Sequence, residues 1–171
     1  MRTSLCYYKR RGDKDMLTKS QQLLLYLMKL KGGVVDDKTK FAKYQYFTDF
    51  IHYAFYAKPV SEDIIYTRQK QGPLSRNLTD DLEELKRQGY IKESPTYKYT
   101  LAKDFNLRLS ADEKRTARFV MSKYGQLSYA DLIQVCHAQA PYLSSKDGGV
   151  IEYFTAFNLV DDYQDYADFK D

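Results

Sequence analysis

The chain has no tryptophan and, among its 171 residues, only two cysteines and two histidines. Cys6 and Cys136 lie far apart, and His52 and His137 supply no ligand spacing, so a zinc centre and a disulfide scaffold are both excluded as organising devices. Reduced thiols are the expectation. No apolar run approaches the roughly 18 residues a membrane-spanning helix requires. Arg2, Lys9, Arg10, Arg11 and Lys14 open the chain, but no apolar core of about seven residues follows them, unlike a secretory leader. A cytoplasmic protein with no membrane partner is expected. Nucleophile elbow, phosphate loop, dinucleotide fingerprint and metal-binding His-Glu helix are all missing. The paired carboxylates Asp36-Asp37, Asp80-Asp81 and Asp161-Asp162 sit in no apolar setting that would perturb them. Neither a catalytic residue, a cofactor nor a metal is expected, and the chain is read as a non-enzyme.

What is present is a globular composition. Hydrophobic residues make up 43% and charged residues 29%, enough for one domain with a real core. Seventeen tyrosines stand out, since tyrosine pairs a large apolar body with a hydroxyl and suits partly wet interfaces. The net charge of +4 is unevenly spread. Residues 1–16 form a basic arm, 17–143 the domain, and 144–171 an acidic extension carrying Glu152, Asp161, Asp162, Asp165, Asp168 and Asp171.

Periodicity and punctuation predict a mainly α fold: a compact helical domain with a small β-hairpin of winged-helix-like character. A short strand is expected at 5–8. Thr18 and Gln21 fit a capping box, after which Leu23, Leu24, Leu27 and Met28 recur at helical spacing until Gly32-Gly33. A longer helix is predicted over 39–57, with Phe41, Tyr44, Phe47, Ile51, Ala54 and Phe55 as its apolar stripe. Tyr46, Phe50, Tyr53 and Tyr56 widen that stripe, through burial on two sides or as an aromatic face offered to a partner. An extended run at 64–67 leads to Gly72-Pro73, which is expected to open a helix over 74–88, proline presetting φ for its first turn. Strands at 90–92 and 97–101 flank a turn at 94–96. Ser110 to Glu113 is a second capping box, Ser128 starts another helix, and Pro141 lies beyond its end. A last apolar segment spans 150–159, and the acidic remainder is expected to fray.

Two surfaces carry binding chemistry. A helix followed by a two-stranded wing admits a DNA-binding regulator as the alternative, with Arg76, Lys86, Arg87 and Lys98 as its contacts. Against it, Arg76–Asp80 and Glu83–Arg87 lie four apart and neutralise each other, whereas phosphate binding needs surplus positive charge. Lys40 and Lys43 share a helix face, and Arg68 lies on the next extended segment. With Lys38, Lys70 and Arg76 they suit phosphate or an acidic surface, such as the acidic tail of a second copy in a homo-oligomer. Cys136 and His137 cannot form a nucleophile–base pair, because neighbours on a helix point about 100° apart. His137 is expected to cap its helix or pack near Tyr142.

Four segments then occur in a telling order: Lys40-Phe41-Ala42-Lys43-Tyr44-Gln45-Tyr46-Phe47, Gln71-Gly72-Pro73-Leu74, Tyr124-Gly125-Gln126-Leu127-Ser128, and His137 through Tyr142. Over about 17–142 this resembles the SocA-like antitoxin domain, also called the Panacea domain. That family runs a Lys-x-x-Lys-x-x-Tyr helix, a Gly-Pro-Val turn, a Tyr-Gly-x-x-Ser step and a helix ending in His-x-x-x-Pro-Trp. The resemblance implies an α-rich fold and a role as the neutralising half of a toxin–antitoxin pair, or as an adaptor presenting a bound protein to a protease. Its matching positions are Lys40, Lys43, Gly72, Pro73 and His137. Gln71 stands where an aromatic often precedes Gly-Pro, Tyr142 replaces the tryptophan, and 78–101 is longer and more wing-like. On this reading Tyr46, Tyr53 and Tyr56 give a protein partner apolar contact, while Lys40, Lys43 and Arg68 give it rim charge.

Overall fold

A computed structural model describes residues 16–170. The strand expected at 5–8, Cys6 and nearly all of the basic arm lie outside the described residues. Side-chain caps set the first helix starts. Helix α1 (Lys19–Leu30) begins on Thr18, which accepts from the Gln21 amide while Gln21 reaches back, as the spacing predicts. After strand β1 (Val34–Val35), helix α2 (Lys38–Tyr56) begins on Asp37, whose carboxylate accepts from the Lys40 amide at 2.9 Å.

The next segment differs from expectation. Gly72-Pro73 does not open a helix. Strands β2 (Tyr66–Gln69) and β3 (Gly72–Ser75) form an antiparallel hairpin around Lys70-Gln71, and helix α3 (Leu78–Arg87) starts only after it. Pro73 fits there because β3 is an edge strand, where a missing N–H costs no ladder bond. Strands β4 (Ile91–Glu93) and β5 (Tyr99–Leu101) form the second hairpin, close to the predicted strands. Helix α4 (Ala111–Tyr124) starts on the Ser110–Glu113 capping box and helix α5 (Tyr129–Ala138) on Ser128. Short helix α6 (Ala140–Leu143), strand β6 (Val150–Ile151), a 3₁₀ helix (Tyr153–Asn158) and helix α7 (Val160–Asp168) complete the described chain.

The expected helical domain is present, but it is mixed α/β, with two three-stranded antiparallel sheets in place of one hairpin. Their orders are β1-β5-β4 and β3-β2-β6. Helix α2 runs through the centre and touches α1, α4, α5, α7, β3 and the 3₁₀ helix. Burial on two sides therefore explains its wide aromatic stripe: Phe41, Tyr44, Tyr46, Phe47 and Phe50 are all buried. The acidic C-terminal stretch is folded as well. Tyr166 of α7 is buried, and Asp162 accepts hydrogen bonds from Tyr124 and from Lys123. Among the described residues no helix is long and apolar enough to cross a membrane.

Candidate functional site

The tip of the β2–β3 hairpin is gripped from two sides. From α2, Lys43 donates its ammonium to the Pro73 carbonyl at 2.8 Å. From the end of α5, His137 Nε2 lies 3.0 Å from the Lys70 carbonyl. The Tyr142 hydroxyl of α6 donates to the Gln69 carbonyl at 2.9 Å, and its ring stacks on His137 at 4.6 Å. Arg68 completes the ring of contacts. Its guanidinium lies 4.3 Å over the Tyr142 ring and donates to the Tyr142 and Ser145 carbonyls at 3.0 and 2.7 Å. His137 thus packs on Tyr142 as the sequence suggests, with its polar tip on the hairpin.

Gly72 is required where it stands. Its φ is +98°, and a Cβ there would meet Lys43 Cε and Nζ at 3.0 Å and Cys136 Cβ at 3.2 Å. The missing side chain leaves the space that the Lys43 terminus fills. Burial pulls the Lys43 amine down to about 8, and burial pushes the Cys136 thiol up to about 12. Cys136 is therefore a neutral packing group beside a lysine that carries its charge at neutral pH. A cavity of about 180 Å³ opens beside Lys43, lined also by Lys38, Thr39, Ala42, Gly72 and Leu74.

The residues expected to meet a partner fall into two groups. Lys43, Tyr46, Gly72 and Pro73 are buried, and Tyr46 donates its hydroxyl to Gln139 at 3.2 Å. In this conformation they shape the domain from inside. Lys40, Tyr53, Tyr56, Arg68 and His137 are half-buried. Lys40 pairs with Asp36 at 2.8 Å, and the Tyr56 hydroxyl lies 3.3 Å from that of Tyr166. The DNA-binding alternative draws little support from its basic side chains. Lys86 is held between Glu83 and Glu93 at 2.6 and 2.7 Å, and Arg87 pairs with Glu84 at 2.5 Å. Arg76 and Lys98 stand exposed.

The largest exposed aromatics of the C-terminal part lie elsewhere. Phe154 is 62% exposed and Phe157 52%. Three residues apart in a 3₁₀ helix, they lie on one face, since that helix has about three residues per turn. The Phe157 ring lies 5.7 Å from Tyr53. At the end of that helix, Asn158, Leu159, Asp161 and Asp162 line a depression of about 480 Å³ together with Val135 and Leu143. The sequence signal for this face is the three-residue spacing of Phe154 and Phe157, inside a segment that reads only as apolar.

The described residues form a mixed α/β domain with a clasped hairpin and two exposed phenylalanines, and among them no cluster of metal-binding side chains occurs. Residues 41–142 match the model of the antitoxin SocA-like, Panacea domain, and the chain belongs to that family. The match spans Lys43, Arg68, Gly72, Pro73, His137 and Tyr142, so every clasp side chain lies inside the family's segment. No curated protein and no solved structure matches the chain.

Proposed function

We propose that the protein is a non-enzymatic binding module of the antitoxin type, which neutralises a partner protein by covering it. The observation that carries this reading is the family match combined with an exposed aromatic face outside the clasp. The face is Phe154, Phe157 and Tyr53, with Leu143 beside it. Glu152 just before the 3₁₀ helix and Asp161 just after it are exposed. The partner element that suits this face is an amphipathic segment with aromatic or aliphatic residues on one side and Lys or Arg at its edges. Aromatic anchors supply most of the binding free energy and the acidic rim steers encounter. Lys40 and Arg68, already paired within the chain, contribute to the rim only on the hairpin side.

Co-expression with the product of the adjacent gene tests this. If that product arrests growth, the wild-type chain should restore growth and copurify with it at fixed stoichiometry. Growth arrest unaffected by the wild-type chain, with no complex formed, would contradict the reading.

A further inference from the structure

Buried ammonium groups are almost always paired, because leaving a charge unpaired in a low-dielectric interior is expensive. Lys43 breaks that rule. It is 2% exposed, donates to one backbone carbonyl, and has no carboxylate within ion-pair distance among the described residues. A second observation stands beside it. Lys43 is among the residues that line the 180 Å³ cavity between the start of α2 and the β2–β3 hairpin. Lys38, at the rim, donates to the Thr79 hydroxyl. No acidic residue lines the cavity, and Asp37, which caps α2, favours the Lys43 charge only from beyond ion-pair distance. The thiol of Cys136 stays neutral and cannot act as a counter-ion.

We infer that this cavity is a binding site for a single carboxylate, with Lys43 as its buried counter-ion. Size and charge select the class. The cavity takes a group of a few heavy atoms, and its remaining walls include Ala42, Gly72 and Leu74. One buried ammonium neutralises one negative charge. A phosphate dianion needs more donors than Lys43 and the rim lysine present. The Pro73 carbonyl accepts one ammonium proton and fixes the amine in place, and the other two N–H donors have no hydrogen-bond partner among the described residues. The carboxylate can come from a small free acid or from an aspartate, glutamate or C-terminus of a protein. The site does not depend on the aromatic face proposed above, so either can fail without the other.

The experiment is an amide NMR titration of the full chain at neutral pH, with sodium acetate replacing sodium chloride at constant ionic strength. Saturable shifts centred on Lys43, Gly72 and Leu74 are expected, and inorganic phosphate should not reproduce them. Lys43→Met should weaken acetate binding at least tenfold. Because that variant alters the interior, Gln71→Glu provides a second check. Gln71 is an exposed turn residue lining the mouth, and a carboxylate there should weaken acetate several-fold without unfolding the chain. A short peptide with one aspartate and blocked ends, binding tighter than acetate, would assign the ligand to a protein; weaker binding would assign it to a small acid. Absence of saturable shifts, equal shifts with phosphate, or full acetate affinity in both variants would overturn the inference.

Discussion

Asp49 and His52 lie three residues apart on α2, both buried, and their protonation pulls stability in opposite directions. Burial raises the Asp49 carboxyl to about 6, although it accepts from the Tyr66 hydroxyl at 2.6 Å and the Ser61 amide at 2.8 Å. Burial also lowers His52 to about 4. The Thr116 hydroxyl lies 2.9 Å from His52 Nδ1, 3.0 Å from the Asp112 carbonyl and 2.9 Å from the Tyr166 hydroxyl, and the buried His52 Nε2 has no hydrogen-bond partner among the described residues. For Asp49 the folded state binds the proton more tightly than the unfolded chain does. Its contribution therefore favours folding at pH 4 and is lost as pH rises through about 6. For His52 the unfolded chain binds more protons, so its contribution grows as pH rises from about 4 to about 6.5. The two offset one another in the wild type. His52→Gln should lower the melting temperature relative to wild type progressively from pH 4 to 6.5, and Asp49→Asn should show the opposite relative trend. Parallel pH profiles for all three proteins would refute the assignment.

At the scale of elements, the β2–β3 hairpin is the part held by the most varied chemistry: an ammonium, an imidazole, a phenol and a guanidinium all act on one tip. Gly72→Ala tests how tightly that tip is packed. Gly32, at φ +85° with open space within 4 Å of where a Cβ would stand, isolates the backbone cost alone. In urea unfolding, Gly32→Ala should cost about 1 kcal/mol, and Gly72→Ala about 2–3 kcal/mol, because its Cβ also collides with Lys43 and Cys136. Equal losses would show that the clasp yields without strain. Helices with side-chain caps are legible in the sequence: Thr18–Gln21 and Ser110–Glu113 mark starts that the fold keeps. The hairpin is not, because Gly-Pro punctuates a strand edge and a helix start equally well. The pairing of Gly72–Ser75 with Tyr66–Gln69, whose other edge pairs with distant Val150 and Ile151, decides for the strand. Helix α7 is hidden by its acids. Leu159, Tyr163 and Tyr166 keep helical spacing, yet the composition around them reads as a solvated tail. The site's residues can be named from the sequence, but not their burial. Tyr46 and Tyr53 look alike in a widened stripe until α4, the hairpin and the 3₁₀ helix settle which one faces inward.

The whole molecule separates what holds it together from what it offers outward. Lys43, Gly72, Pro73 and His137 sit at the clasp, buried or half-buried, while the aromatic face at 153–158 lies beyond the matched segment. Two variants distinguish the roles. His137→Ala removes the contact with the Lys70 carbonyl and the stack on Tyr142, and should cost about 1 kcal/mol of stability. The double change Phe154→Ala and Phe157→Ala removes two exposed rings and should leave stability nearly unchanged. The decisive measurement is the dissociation constant of each variant for the neutralised partner, by calorimetry at a temperature where all are folded. Binding at least tenfold weaker in the double phenylalanine variant, with wild-type affinity in His137→Ala, is the predicted result; lost affinity in His137→Ala with the phenylalanine variant unimpaired would contradict it.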